Sequence, residues 1–305
     1  MKRSSCLPSS VTIVEVGARD GLQNEAMVST EVKIALVNQL SKSGLTHIET
    51  GAFVSPKWVP QMADSTQVFQ GIARQPNVIY SALTPNLKGF EQAMISGADQ
   101  VSIFTSASEA FCQKNINCSI SESLRRFEPL IEQAKHHNIA VRAYLSCVVD
   151  CPYDGPTKPQ QVAAIANELF NMGCYEVSLG DTIGTGTPLR IATMLEAVQQ
   201  CIPTNHIAVH FHDTWGQAIA NIYQALTMGI HIIDSSVAGL GGCPYASGAS
   251  GNVATEDVLY LCQELNIETG INLSTIASAG KIICQQLHKR SASKVSNAIE
   301  HIFPQ

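Results

Sequence analysis

The stretch YEVSLGDTIGTGTPLRIATMLEAVQQCIPTNHIAVHFHDTWGQA, residues 175–218, repeats one pattern twice. A short apolar run rich in β-branched residues gives way to a polar segment, and a longer helical repeat follows. Tyr175–Leu179 and Ile207–Phe211 read as strands, because five-residue apolar runs bounded by Gly, Asn and Asp are too short for helices. Pro188–Gln200 reads as a helix with Pro in its first turn, where a missing N–H does no harm. Strand, helix and strand in this order require parallel pairing and a right-handed crossover.

Working outward, the same alternation continues to both ends of the chain. Further strands are predicted over Val11–Val16, Thr46–Thr50, Asn77–Leu83, Gln100–Phe104, Ala140–Ser146 and Ile232–Val237. Helices are predicted over Thr30–Ser43, Ser121–Asn138, Lys158–Met172, Ala218–Met228 and Val253–Leu265, with Gly44, Gly97, Gly173 and Gly229 marking helix ends. Eight βα units without a long interruption predict an α/β fold, a closed (β/α)8 TIM barrel. No G-x-G-x-x-G follows the first strand, which argues against a dinucleotide-binding sheet. A barrel takes about 250 residues, so this chain of 305 has room for one extra element. The apolar, helical stretch from about 273 to 305 is expected to be a C-terminal helical extension of a single catalytic domain, 1–305.

Composition narrows the partners. A net charge of −6 and scattered Lys and Arg exclude a nucleic-acid track. No apolar run approaches membrane-spanning length, and MKRSSCLPSS leads into no signal-peptide core, so a cytoplasmic location is expected. Ten cysteines form no C-x-x-C pair, which fits small buried hydrophobes in a reducing compartment; Cys147 and Cys151 are read as structural.

Barrel chemistry sits at the C-terminal ends of the strands. The unusual polar residues fall there: Arg19, Asp20, Gln23 and Glu25 after the first strand, and Glu49 on the second. Arg142 and Tyr144 lie on the fifth, Ser178 and Asp181 on and after the sixth, and His210, His212 and Asp213 at the seventh. Cys243 and Asn252 follow the eighth. His210 and His212 share one strand face, so both imidazoles can reach one metal ion. With Asp20 and Asn252 at the same end they make a mixed N/O set, suited to Mg²⁺ or Mn²⁺ and unlike a closed thiolate zinc site. Five glycines between Gly239 and Gly251 read either as a flexible surface loop or as a hinged loop that brings Cys243 to a substrate. Arg19 reads either as Asp20's ion-pair partner or as a group stabilising developing negative charge. Arg142, on the barrel-facing side with Tyr144, needs a carboxylate partner, for which Glu49 or Asp181 is expected.

The motifs VEVGARDGLQNE (14–25), HIETGAFVSPKWVPQMADS (47–65), SLGDTIGTGTP (178–188), HFHDTWGQA (210–218) and SSVAGLGGCPYASGASGNVATED (235–257) resemble the hydroxymethylglutaryl-CoA lyase family. So do LTPNLKGFEQA (83–93) and KNINCSI (114–120), and the likeness runs nearly end to end. The resemblance implies cleavage of (S)-3-hydroxy-3-methylglutaryl-CoA to acetyl-CoA and acetoacetate, with a divalent metal (Mg²⁺ or Mn²⁺) as cofactor and coenzyme A as part of the substrate. It implies Asp20, His210, His212 and Asn252 as metal ligands. Arg19 would meet the thioester carbonyl or its enolate, Cys243 would be the catalytic thiol, and Asp20 or His210 the base. Glu49 and Asp181 would order the interior arginines, and Gln23, Arg142, Tyr144 and Ser178 would support substrate binding. A homodimer is carried over, as is the family's link to leucine degradation and ketone bodies, which leaves this chain's own pathway open. Two departures stand out: Ala18 where the family usually has Pro, and Phe211 between the histidines. The chain also stops soon after the extra helix, without the terminal-cysteine extension of animal members, so no redox switch of that kind is expected. Rival readings are a lyase for a longer branched acyl chain, a condensing synthase of the isopropylmalate or citramalate type, and an inactive barrel serving as a scaffold.

Overall fold

The computed structural model describes residues 7–243 and 246–302. Eight parallel strands close into a barrel, as predicted. In chain order the elements begin β1 (Thr12–Glu15), α1 (Thr30–Leu40), β2 (His47–Ala52), α2 (Ser65–Gly71), β3 (Ile79–Leu83), α3 (Leu87–Ser96) and β4 (Gln100–Ser106). They continue with α4 (Glu109–Ile116), α5 (Ile120–His136), β5 (Ala140–Ser146), β6 (Asp150–Cys151), β7 (Gly155–Pro156), α6 (Pro159–Met172), β8 (Glu176–Asp181) and α7 (Pro188–Gln199). The last are β9 (Ile207–Phe211), α8 (Ala218–Thr227), β10 (Ile232–Ser235), β11 (Gly242–Cys243), β12 (Ala246–Ser250), α9 (Thr255–Glu264), α10 (Leu273–Gln286) and α11 (Lys294–Ile302). Around the barrel the strands run β1-β10-β9-β8-β5-β4-β3-β2, while β6–β7 and β11–β12 are separate two-stranded pairs.

Local sequence explains the helical layer. In α5, buried Ile120, Leu124, Phe127, Ile131 and Ala134 recur every three or four residues. Ser119 caps that helix by accepting from Glu122 N at 3.1 Å, and Lys135 and His136 lie at its negative end. Gly97 and Gly173 close α3 and α6 with left-handed φ of 85° and 112°.

Several elements depart from expectation. Strand ends differ by one or two residues, and β10 stops at Ser235 because a 3-10 turn, Val237–Gly239, takes over. Residues Gly17–Gly21, expected as loop, form a single π-helical turn. The glycine-rich tract, expected as a flexible or a hinged loop, carries an antiparallel strand pair, β11–β12. Helices α2 and α4 are too short for periodicity to reveal. After the eighth unit, α10 packs against α1 and the Val237–Gly239 turn.

Candidate active site

The site begins where β1 ends. Fully buried Glu15 accepts from Gly17 N and Val237 N at 2.8 Å and from the Thr255 hydroxyl at 2.6 Å. Those bonds tie the first turn to the segment after β10. The π turn closes through Gly21 N to Val16 O at 3.1 Å. Within it, Arg19 and Asp20 are placed side by side. The buried Arg19 guanidinium donates from Nε to Glu49 Oε2 and from Nη1 to Asp20 Oδ1, both at 2.6 Å. Burial works against its charge, but Glu49 and Asp20 outweigh it and hold Arg19 firmly protonated. Burial likewise opposes the Asp20 anion, yet Arg19 and His210 pull its carboxyl down to about 2.

Strand β9 brings both imidazoles to this carboxylate. His210 Nε2 lies 3.9 Å from Asp20 Oδ2, and the two histidine rings are 5.4 Å apart. One ligand atom from each of Asp20, His210 and His212 lies within 4.8 Å of the others. His212 Nδ1 is buried with no hydrogen-bond partner. Burial and the neighbouring His210 push its pKa down to about 4, so it is neutral, the form that ligates metals. A neutral imidazole with an unpartnered Nδ1, beside a carboxylate and a second imidazole, fits a divalent cation.

Asn252 arrives by backbone pairing. Asp213 N donates to Gly251 O at 2.6 Å and Val253 N to Phe211 O at 3.3 Å, with an antiparallel bridge between His212 and Asn252. The Asn252 amide nitrogen donates to Asp20 Oδ2 at 2.7 Å and to Leu240 O at 3.2 Å. Gly241, at φ 108°, makes room for it: a Cβ there would lie 2.8 Å from that nitrogen. Cys243 is on β11 next to Gly242; its side chain lies outside the described residues.

Beneath these groups lies a second ion cluster. Arg142 donates from Nε to Glu176 at 2.5 Å and grips Asp234 with Nη1 at 3.0 Å and Nη2 at 2.7 Å. The expected partners, Glu49 and Asp181, are engaged elsewhere: Glu49 holds Arg19, and Asp181 accepts from Gly186 N at 2.8 Å. Asp181 therefore shapes the turn after β8 and does not order the arginines; burial lifts its pKa to about 6. Tyr144 stands between the two guanidiniums, 5.4 Å from Arg19 and 5.0 Å from Arg142, and meets His210 edge-on at 6.0 Å. Ser178 is fully buried and donates to Asp234 at 2.7 Å, so it supports the site from below. Gln23 stands half-buried just past the π turn.

Sequence reasoning missed Asp234, the acceptor shared by Arg142, Ser178 and His210 Nδ1 (3.2 Å). A lone acid in the apolar run Ile232–Ser235 is a signal, because an unpaired charge there would be costly. It also missed Glu15 and Glu176, both on strands.

The HMGL-like family model matches residues 10–283. The chain is 57% identical over 293 residues to the hydroxymethylglutaryl-CoA lyase, mitochondrial, of Homo sapiens, covering 96% of this chain and 90% of that protein. It is 57% identical over 294 residues to the 3-hydroxy-3-isohexenylglutaryl-CoA/hydroxy-methylglutaryl-CoA lyase of Pseudomonas aeruginosa, covering 96% and 98%. A crystal structure of hydroxymethylglutaryl-CoA lyase from Pseudomonas aeruginosa superposes with a TM-score of 0.96 at 56% identity, over 97% of this chain and 99% of that one.

Proposed function

Because this chain belongs to the HMGL-like family, we propose that it cleaves (S)-3-hydroxy-3-methylglutaryl-CoA to acetyl-CoA and acetoacetate. The observation that carries this reading is the convergence of Asp20, His210 and His212 within 4.8 Å at one barrel rim, beside a buried arginine.

In the reaction the C3 hydroxyl loses its proton and the C2–C3 bond breaks. Its electron pair passes to C2 as a thioester enolate, C3 becomes the ketone of acetoacetate, and a proton added at C2 completes acetyl-CoA. Asp20, His210 and His212 would hold the divalent cation, Mg²⁺ or Mn²⁺, with the Asn252 amide oxygen as a fourth donor once its nitrogen leaves Asp20. A cation bound there supplies Lewis acidity that lowers the pKa of the substrate hydroxyl. Among the described rim residues, Asp20 or His210, 3.9 Å apart, takes the hydroxyl proton. Arg19, braced by Glu49 and Asp20, presents fixed positive charge to the enolate oxygen. Cys243 delivers the proton to C2 and regains one from solvent, without an acyl-enzyme. Gln23, Arg142, Tyr144, Ser178 and Asp181 frame the substrate or its supports.

A second reading keeps the chemistry and lengthens the acyl chain; the Pseudomonas relative, whose name carries both acyl groups, favours it. The test is acetoacetate release from the methyl substrate against cleavage of the isohexenyl thioester, compared as kcat/KM. The first reading expects the methyl substrate to lead; preference for the isohexenyl ester overturns it in favour of the second.

We place the protein in a reducing, cytoplasmic compartment, which its free Cys112, Cys118, Cys147, Cys151 and Cys174 support. Among the described residues no helix is long and apolar enough to cross a membrane. A homodimer is proposed from family likeness and from the apolar groove between α1 and α10, where Ile282 is exposed. Product acetoacetate suits leucine degradation or ketone-body formation.

A further inference from the structure

The segment between α10 and α11 crosses the turn that leads into the hairpin β11–β12. Ala292 N donates to Ala238 O at 2.9 Å, and the Ser291 hydroxyl reaches the same carbonyl at 3.4 Å. Its far end is held by Asp257, which accepts from the Ser293 hydroxyl at 2.6 Å, from Lys294 N at 3.2 Å and from Val295 N at 3.0 Å. The result is a strap of fixed course that presents two lysines. Lys289 Nζ lies 2.5 Å from Glu25 Oε1, and Lys294 Nζ lies 2.5 Å from Asp213 Oδ2.

Glu25 and Asp213 are the two ends of a hydrogen-bonded path across the base of the hairpin. Glu25 Oε1 accepts from Gly241 N at 3.1 Å. Gly241 O accepts from Gly251 N at 2.9 Å, and Gly251 O from Asp213 N at 2.6 Å. Gly241 immediately precedes β11, which carries Cys243, and Gly251 immediately precedes Asn252. One carboxylate thus ties the turn after β1 to the root of the segment holding both residues.

We propose that Glu25, braced by Lys289, is a positioning residue for the cleavage: it fixes the root of the hairpin that carries Cys243 and leads to Asn252. This rests on the reading that the Cys243 thiol takes part in the reaction. The three polar links differ in weight. The Lys294 side chain is 71% exposed, so its pair with Asp213 contributes little. Lys289 is 34% exposed and Glu25 11%, so the Glu25 pair is better shielded. The charge-assisted bond from Gly241 N to Glu25 is the link that reaches the root of the hairpin itself.

The test uses the full-length chain with Glu25→Ala, Glu25→Gln, Lys289→Met and Lys289→Arg. It reads kcat, KM and amide hydrogen exchange of the peptide spanning 241–251. In Glu25→Ala, exchange should rise and kcat should fall about tenfold each, with KM within about twofold. Glu25→Gln keeps an acceptor for Gly241 N and should fall between Glu25→Ala and the parent. Lys289→Met should show about a threefold effect, with Lys289→Arg restoring the parent values. If Glu25→Ala fails to fold, Glu25→Gln and the exposed-side Lys289→Met carry the test. Exchange within twofold of the parent in every variant overturns the proposal, and so does faster exchange with unchanged kcat. Full turnover in Cys243→Ser, with a slower and looser Glu25→Ala, would instead remove the thiol from the reaction and leave the hairpin's anchoring by Glu25 standing.

Discussion

Asp234 sits opposite His210 in the parallel register of β10 and β9, and its Oδ2 lies 3.2 Å from His210 Nδ1. The same carboxylate takes two bonds from Arg142 and one from Ser178, so its position is over-determined. Burial opposes the Asp234 anion, but Arg142 and His210 keep its pKa far below the usual carboxylate range. An anion accepting from Nδ1–H fixes the ring with Nε2 facing Asp20. Burial opposes the imidazolium, but Asp234 and Asp20 raise its pKa above the ordinary value, so Nε2 holds a proton that a bound cation would displace.

Asp234→Asn should therefore weaken Mn²⁺ binding about 10- to 100-fold, because the imidazole loses its fixed tautomer and orientation. Titration calorimetry with Mn²⁺ reads this. Affinity equal to the parent's would separate Asp234 from the cation site.

Arg19→Met should lower kcat/KM by about 100- to 1,000-fold, the usual effect of removing a donor from a developing oxyanion. It should also lower the melting temperature, since Glu49, buried with Oε1 already unpartnered, loses its counter-ion. Arg19→Lys should rescue neither, because one ammonium cannot reproduce the fork that reaches Glu49 and Asp20 together. Steady-state kinetics and thermal melts check both, and a lysine variant with parent activity would refute the geometric part.

Stability should fall as pH rises through neutrality. Burial lifts Glu15 to about 7 and Glu256 to about 8, from an ordinary value of 4.5. The folded protein thus keeps protons that the unfolded chain gives up, so the contribution is complete below about 4.5 and lost as pH climbs towards 7 and 8. Glu256→Gln should flatten the dependence of the urea midpoint over that range. Parallel curves for parent and variant would show that Glu256 does not titrate differently on folding.

Cys243→Ser should retain the fold and Mn²⁺ affinity while losing most turnover, since the hydroxyl is a far weaker proton donor than the thiol. Parent-like kcat would exclude the thiol from the reaction.

The barrel was legible because its strands and most of its longer helices announce themselves locally: a short apolar run, a glycine stop and a 3.6-residue repeat. Asp20, His210 and His212 were legible for the same reason, since strand ends must supply barrel chemistry and alternate residues share a face. What escaped is set by pairing between distant strands. Arg142 meets Glu176 on the adjacent strand β8 and Asp234 on the non-adjacent strand β10, and has no local signal for either, so Glu49 and Asp181 are equally plausible partners from sequence. Asn252 lies beside Asp20 because the backbone of 251–253 pairs with that of 211–213, a contact with no local signal. The π turn at Gly17–Gly21 follows from bonds that Glu15 makes to Gly17, Val237 and Thr255, two of them far along the chain.

The central claim is that three side chains from two distant stretches hold one cation that the cleavage needs. The most direct measurement strips the protein with a chelator, adds Mn²⁺ back stepwise, and follows bound Mn²⁺ and acetoacetate release together, in the parent and in His212→Ala. The expected result is turnover that rises in step with filling of a single site, with both curves shifted to higher Mn²⁺ in His212→Ala. Full turnover in the stripped protein, or unchanged Mn²⁺ affinity in that variant, would contradict it.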